Sequence, residues 1–285
     1  MQLKNLVTIL RKNLGIILLV LFCCLFCWKV QVMQAELQFL NSQILNNLER
    51  QRELMQDLQK LKPYRKKGQE DPDLTARAAI SVLIGKESRE KILFEKDIDK
   101  ILPIASVSKL MTAYVSLKNY EESYRTNNLL HLLLVGSSNW ASEELAQIMG
   151  QEEFILAMNS TAQELGLENT YFSNPSGLDQ EDFNYSTAKD LVKFTRHLFE
   201  EKSPVWRISL LKEYNGVSNT NELLGRVPGI IGGKTGGTIK AGECLVLLTE
   251  APDNQGYIIS IILGSAERFA EMERLLNWVQ ASYIW

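Results

Sequence analysis

Three short groups of residues in this chain could do chemistry together. Gly232–Thr238 reads GGKTGGT, and a Gly-Lys-Thr triplet after glycines first suggests a loop that cradles phosphate. Such a loop needs G-x-x-x-x-G-K-[ST], so that enough backbone N–H groups curl round the anion, and a helix must follow it. Here the first glycine falls on Pro228, and the segment after Thr238, IKAGECLVLLTE, has the pattern of a strand. A phosphate loop is excluded, and Lys234 is left on a strand where it can meet a different anion. Upstream, in order, stand Ser106-Val-Ser-Lys109 and Ser137-Ser-Asn139. If Ser106 opens a helix, Lys109 lies one turn on and on the same face. A serine hydroxyl becomes a competent nucleophile when a base takes its proton. Lysine is such a base only when desolvation or a nearby cation lowers its pKa, and Lys234 is the candidate cation. Ser-x-x-Lys also occurs at Ser88/Lys91, Ser186/Lys189 and Ser209/Lys212, whereas Ser-x-Asn and Lys-Thr-Gly occur once each.

The elements around these groups are legible from periodicity. AAISVLI and KILFEK, separated by the polar GKESRE, predict a β-hairpin, and the folded domain starts near Ala76. After Pro103, Leu110, Ala113, Tyr114 and Leu117 recur at helical spacing. Helical patterns also fit Leu129–Val135, Trp140–Met149, Glu152–Leu165 and Thr187–Phe199. ECLVLLTE and GYIISIILG predict two strands, and residues 266–285 a last helix. Strands, a block of helices, then strands again predict an α+β domain over residues 76–285 with an antiparallel sheet, flanking helices and a helical subdomain.

Before that domain, Leu14–Trp28 is an uncharged apolar run preceded by Lys4, Arg11 and Lys12. Its length also suits a signal peptide, but no small-x-small cleavage site follows. Residues 1–33 are read as a retained anchor with the N-terminus inside, making the protein single-pass in the cell membrane with the remainder exported. In residues 34–62, Leu37, Leu40, Ile44, Leu54, Leu58 and Leu61 fit alternating heptad positions, interrupted by Asn47 and Gln51. A coiled coil joining a homodimer and a lone stalk helix fit this pattern equally. Residues 63–75, with two prolines, a glycine and dense charge, read as a linker. The formal net charge of −3 gives no footprint for nucleic acid. Cys23, Cys24 and Cys27 share the apolar run, leaving Cys244 without a partner, so no disulfide framework is expected. His131 and His197 lie apart from any cysteine cluster, so no metal site is expected.

PIASVSKLMTAYVSL resembles the active-site segment of the D-alanyl-D-alanine carboxypeptidases, the low-molecular-weight penicillin-binding proteins of serine peptidase family S11. LLVGSSNWASEELAQIMG, YFSNPSGLD, NYSTAKDL and GIIGGKTGGTIKAGECLV follow in the family's order. The resemblance covers residues 76–285 and implies a penicillin-binding protein fold, that of β-lactamase-like transpeptidases. It implies a peptidoglycan stem peptide ending in D-Ala-D-Ala as substrate, β-lactams as inhibitors, and no metal or organic cofactor. By that resemblance Ser106 is the nucleophile and Lys109 its base, Ser137 relays a proton to the leaving amine, and Asn139 orients Lys109 and the substrate. Lys234 and Thr235 hold the terminal carboxylate, Gly236 allows close approach to the strand, and the N–H groups of Ser106 and Gly237 form the oxyanion hole.

NPSGLD, residues 174–179, reads as a structural turn with Gly177 at positive φ; Asp179 and Glu181 are carboxylates without a paired acid. Trp140, next to Asn139, fits a cleft-lining or a core-packing role, of which core packing is favoured. Two departures stand out against the family. The Lys109–Ser137 interval is about half the usual length, which implies a trimmed cleft rim. The chain also ends after the domain's last helix, which implies that the anchor has moved to the N-terminus. A D,D-endopeptidase using the same residues, and a catalytically weak envelope scaffold that binds wall peptide, are the competing readings. A β-lactamase is disfavoured, because no Glu-x-x-Leu-Asn lies between Asn139 and Lys234.

Overall fold

The computed structural model describes residues 2–61, 63–86 and 89–285, and the chain divides into two units between residues 62 and 63. The first unit is one uninterrupted helix, α1 (Gln2–Leu61). Its 60 residues span about 90 Å at roughly 1.5 Å per residue. Part of Asn13–Met55 is long and apolar enough to cross a membrane. Farther along the same helix Leu37, Leu40, Ile44 and Leu54 are all exposed, and the side chains of the other two heptad positions, Leu58 and Leu61, lie outside the described residues. The expected boundary at residue 33 is thus a change of composition without a break in the helix.

In the second unit β1 (Tyr64–Arg65), β2 (Ala78–Gly85), β3 (Glu90–Lys96) and β4 (Leu102–Pro103) precede a 3-10 turn, Ala105–Ser108, that runs into α2 (Lys109–Asn119). α3 (Tyr124–Val135), α4 (Asn139–Met149) and α5 (Gln151–Glu164) follow, then β5 (Tyr185–Ser186), α6 (Ala188–Glu200), α7 (Pro204–Ser209), β6 (Glu213–Tyr214) and β7 (Val217–Ser218). β8 (Ile230–Thr238), β9 (Gly242–Glu250), β10 (Gly256–Ser265), α8 (Arg268–Ser282) and β11 (Tyr283–Ile284) close the chain. The main sheet has the order β3-β2-β10-β9-β8, antiparallel throughout, as the sequence pattern predicts.

The central strands are apolar on both faces because both are covered, and alternation sorts their side chains between two cores. Ile80, Val82, Val246, Leu248, Ile259 and Ile261 face the helical block, which includes α2 and α6. Leu83, Leu245, Leu247, Ile258 and Ile262 face Met272, Leu275 and Val279 of α8. The buried hydroxyls of Ser81 and Ser260 satisfy each other at 2.6 Å across β2 and β10.

The segment read as a linker is docked on the domain. β1 pairs with β11, Leu74 is buried, and Trp278 Nε1 donates to Glu70 O at 2.5 Å. Glu271 accepts from Thr75 N at 2.7 Å, Thr75 Oγ1 at 2.5 Å and Ala76 N at 3.1 Å. Burial pushes this carboxyl's pKa up, but the bonds from Thr75 and its neighbours hold it below the usual range. The sequence pattern misses this contact because the groups that capture the segment lie about two hundred positions away. The last predicted helix also ends early, since Tyr283 and Ile284 leave α8 to pair with β1.

Candidate active site

The turn carrying Ser106 is conformationally demanding. Ala105 has φ +48°, a region that few non-glycine residues adopt, and Ser108 Oγ donates back to Ala105 O at 2.8 Å. Lys109 follows with its side chain fully buried. Its Nζ lies 2.8 Å from Ser106 Oγ, 2.7 Å from Asn139 Oδ1 and 2.5 Å from Ser176 O. As an ammonium it has three hydrogens for three acceptors. As a neutral amine it keeps two for Asn139 and Ser176 and aims its lone pair at the Ser106 hydroxyl. Burial lowers its pKa to about 7, with the Glu143 carboxylate acting in the opposite direction. The expected spacing is therefore realised, and burial is the largest cause of the lowered pKa of the base.

Ser137 and Asn139 come from the sharp connection between α3 and α4. Ser137 has φ +55°, and Ser138 caps α4 by accepting from Ala141 N at 3.1 Å. This places Asn139 against Lys109, while Ser137 Oγ accepts from Lys234 Nζ at 2.8 Å. Trp140, the second residue of α4, is not a core residue, since it is 59% exposed.

Lys234 is buried in β8 and also donates to Thr235 O at 2.9 Å. Burial first, then the charges of Lys109 and Arg268, push its pKa well below the ordinary lysine range. Thr235 Oγ1 is 2.6 Å from Thr220 Oγ1. Gly236 has no room for a side chain, since a Cβ there would sit 2.8 Å from Ile104 O and 3.2 Å from Ser106 N. The close approach that this glycine permits is that of the nucleophile's own turn. Arg268, at the start of α8, donates from Nη1 to Gly236 O at 3.0 Å.

The NPSGLD turn couples the two halves. Asn174 Oδ1 accepts from Ser176 N at 3.2 Å and Gly177 N at 2.6 Å, so Ser176 O is fixed where Lys109 finds it. Gly177 has φ +77°, and a Cβ would fall 2.0 Å from Ala105 O, so glycine is required beneath the nucleophile turn. Asp179 accepts from Thr238 Oγ1 at 2.8 Å and Lys240 N at 2.9 Å, tying this loop to the β8–β9 turn. Ser176, Thr220 and Arg268 are contributors that the motif search did not find. Two act at the site through backbone carbonyls, their own or Gly236's, and such carbonyls leave no signature in sequence.

With this geometry in place, comparison with known proteins is informative. The profile of the D-alanyl-D-alanine carboxypeptidase family matches residues 116–267. The chain belongs to this family of serine-type peptidases. It is 30% identical to a D-alanyl-D-alanine endopeptidase of Escherichia coli (strain K12), across 73% of this chain and 79% of that relative. It is 27% identical to D-alanyl-D-alanine carboxypeptidase DacF of Bacillus subtilis (strain 168) across 76% of this chain, spanning 65% of DacF's length. Penicillin-binding protein D2 of Listeria monocytogenes, solved in its ampicillin-bound form, superposes with a TM-score of 0.67 at 29% identity, covering 74% of this chain and 99% of that one. The domain thus has the penicillin-binding protein fold.

Proposed function

We propose that this family member is a membrane-tethered D-Ala-D-Ala carboxypeptidase that removes the terminal D-alanine from peptidoglycan stem peptides. The observation that carries the reading is the buried Lys109 Nζ, held by Asn139 and Ser176 and 2.8 Å from Ser106 Oγ. Neutral Lys109 takes the Ser106 proton as Oγ attacks the penultimate D-alanine carbonyl carbon. The resulting oxyanion sits between the N–H groups of Ser106 and Gly237, each worth about 3–4 kcal/mol in the barrier. Collapse breaks the peptide bond and expels the amine of the last D-alanine, which takes a proton relayed through Ser137. Water then hydrolyses the Ser106 ester, with Lys109 again as base. The same serine would be held as a stable ester by a β-lactam.

Lys234 and Thr235 receive the substrate's terminal carboxylate. A buried lysine whose charged form is penalised gains most from an incoming anion. This favours a free C-terminus over a cross-linked peptide, and hence carboxypeptidase over endopeptidase action. The helix α1 anchors the protein with its catalytic domain outside the cytoplasm, and its exposed heptad leucines offer a seam for a homodimer. The test is to incubate the purified protein with peptidoglycan and analyse the products by mass. Loss of single D-alanine residues supports the proposal. Release of cross-linked partners without free D-alanine means an endopeptidase, and binding without product means a scaffold.

A further inference from the structure

The part of α1 that follows the apolar run carries large side chains with nothing over them. Leu37, Leu40, Ile44, Leu48, Leu54 and Met55 are each more than half exposed. A helix with such a stripe is stable in water when a partner covers it, since helical propensity alone contributes little. With Leu37 and Ile44 at heptad position a, Gln51 is also an a position. Leu40, Asn47 and Leu54 are then d positions, and Leu48 and Met55 widen the stripe from the flanking e positions. The two amides point to the partner. Packed against leucines, Asn47 and Gln51 would each bury an amide with no hydrogen-bond partner. Packed against its own counterpart, each amide meets a group that both donates and accepts. Two parallel copies in register supply that match at both levels, and a shared membrane anchor holds two chains parallel.

The helix is unbroken from Gln2 to Leu61, so the phase of the stalk carries back into the apolar run. Composition selects no face there, because nearly every side chain is apolar, but helix geometry does. Cys23 precedes Leu37 by two heptads and takes position a, whereas Cys24 takes b and Cys27 takes e. Even on a straight helix Cys23 lies about 40° round from Leu37, Cys27 about 80° and Cys24 about 140°. All three thiols are exposed. We infer that two copies of α1 pair along one parallel, in-register seam that continues from the stalk into the membrane-spanning part, with Cys23 facing Cys23 of the second copy. Asn47 and Gln51 set the register. The inference rests on the membrane anchor and dimer seam proposed above, and adds the register, the extent and the facing residue.

The test is cysteine cross-linking of the full-length protein in membranes. Three variants each keep one of Cys23, Cys24 and Cys27 and carry serine at the other two; Cys244 is buried and stays in place. Copper-phenanthroline takes two electrons and two protons from a pair of thiols as the S–S bond forms, and dissolved oxygen receives the electrons. A disulfide needs Cα atoms within about 7 Å, so covalent dimer on a non-reducing gel should form at least about fivefold faster from Cys23 than from Cys24, with Cys27 between them. Leu37→Glu combined with Ile44→Glu should abolish the Cys23 cross-link, and Gln38→Glu, at a b position, should leave it intact. Resistance to carbonate extraction shows that each variant is inserted. Wild type released by carbonate would overturn the anchor, and the seam with it. In membrane-retained protein, no dimer, equal rates at the three cysteines, fastest linkage at Cys24, or a Cys23 cross-link that survives Leu37→Glu with Ile44→Glu would overturn the seam alone.

Discussion

Two buried lysines meet in this site, one from the helical half and one from the strand half, and their surroundings differ. Lys109 is held by three oxygens, and burial brings its pKa to about 7. Lys234 has the Ser137 hydroxyl and its neighbour's carbonyl, and it feels two other cations as well as burial. The first environment makes a base poised near neutrality. The second makes a nitrogen whose charged form is penalised until an anion arrives. Similar depth thus yields different chemistry, because the neighbours rather than burial alone decide what each nitrogen is for.

The largest expected break is Lys109→Met, which removes the base and should lower acylation by about 10³-fold, measured as the rate of penicillin labelling. The same change should stabilise the fold. The unfolded chain keeps this lysine protonated up to about 10.5, whereas the folded chain releases the proton near about 7. Unfolding therefore takes up a proton between those values, and wild-type stability rises with pH across that window. Thermal melts should show this slope in wild type and a shallower one in Lys109→Met, where only Lys234, shifted in the same direction, still contributes.

Lys234→Met should raise KM for peptides with a free carboxylate and lower kcat/KM about 10²-fold. It also sharpens the comparison. Wild-type acylation should increase with pH through a midpoint near about 7, where Lys109 becomes neutral. If desolvation tunes the base, Lys234→Met keeps that midpoint. A rise of a full unit would mean that the Lys234 charge does the tuning, the other of the two causes that the sequence allows.

Smaller effects fall on the loop that joins the two halves. Gly177→Ala forces a Cβ into Ala105 O at positive φ, and should cost about 2 kcal/mol of stability, read as a drop in Tm. Asp179→Ala frees Thr238 and Lys240 N and should cost about 1 kcal/mol. Its kinetic signature should be confined to the strand half, raising peptide KM while leaving the pH midpoint in place.

Much of this was legible in the sequence. The order Ser106–Lys109, Ser137–Asn139 and Lys234–Gly236 is carried by side-chain identity and helical spacing. Strands β9 and β10 announce themselves as apolar runs because both sheet faces are covered. What stayed hidden depends on long-range pairing. The captured segment before Ala76 needs Glu271 and β11, and the roles of Ser176 and Arg268 run through backbone carbonyls. Of the two roles the sequence allows Trp140, the favoured one, core packing, does not hold, because one aromatic residue on a helix does not disclose which face it takes. Gly236 was assigned to substrate approach, although its nearest neighbour is the turn of Ser106.

The most direct test of the account is covalent. Full-length protein in detergent is treated with benzylpenicillin and mapped by peptide mass spectrometry across a range of pH. The account predicts a single acyl adduct on Ser106, absent in Ser106→Ala, forming faster as pH rises through about 7. A folded protein that forms no adduct, or forms it on another serine, would contradict it.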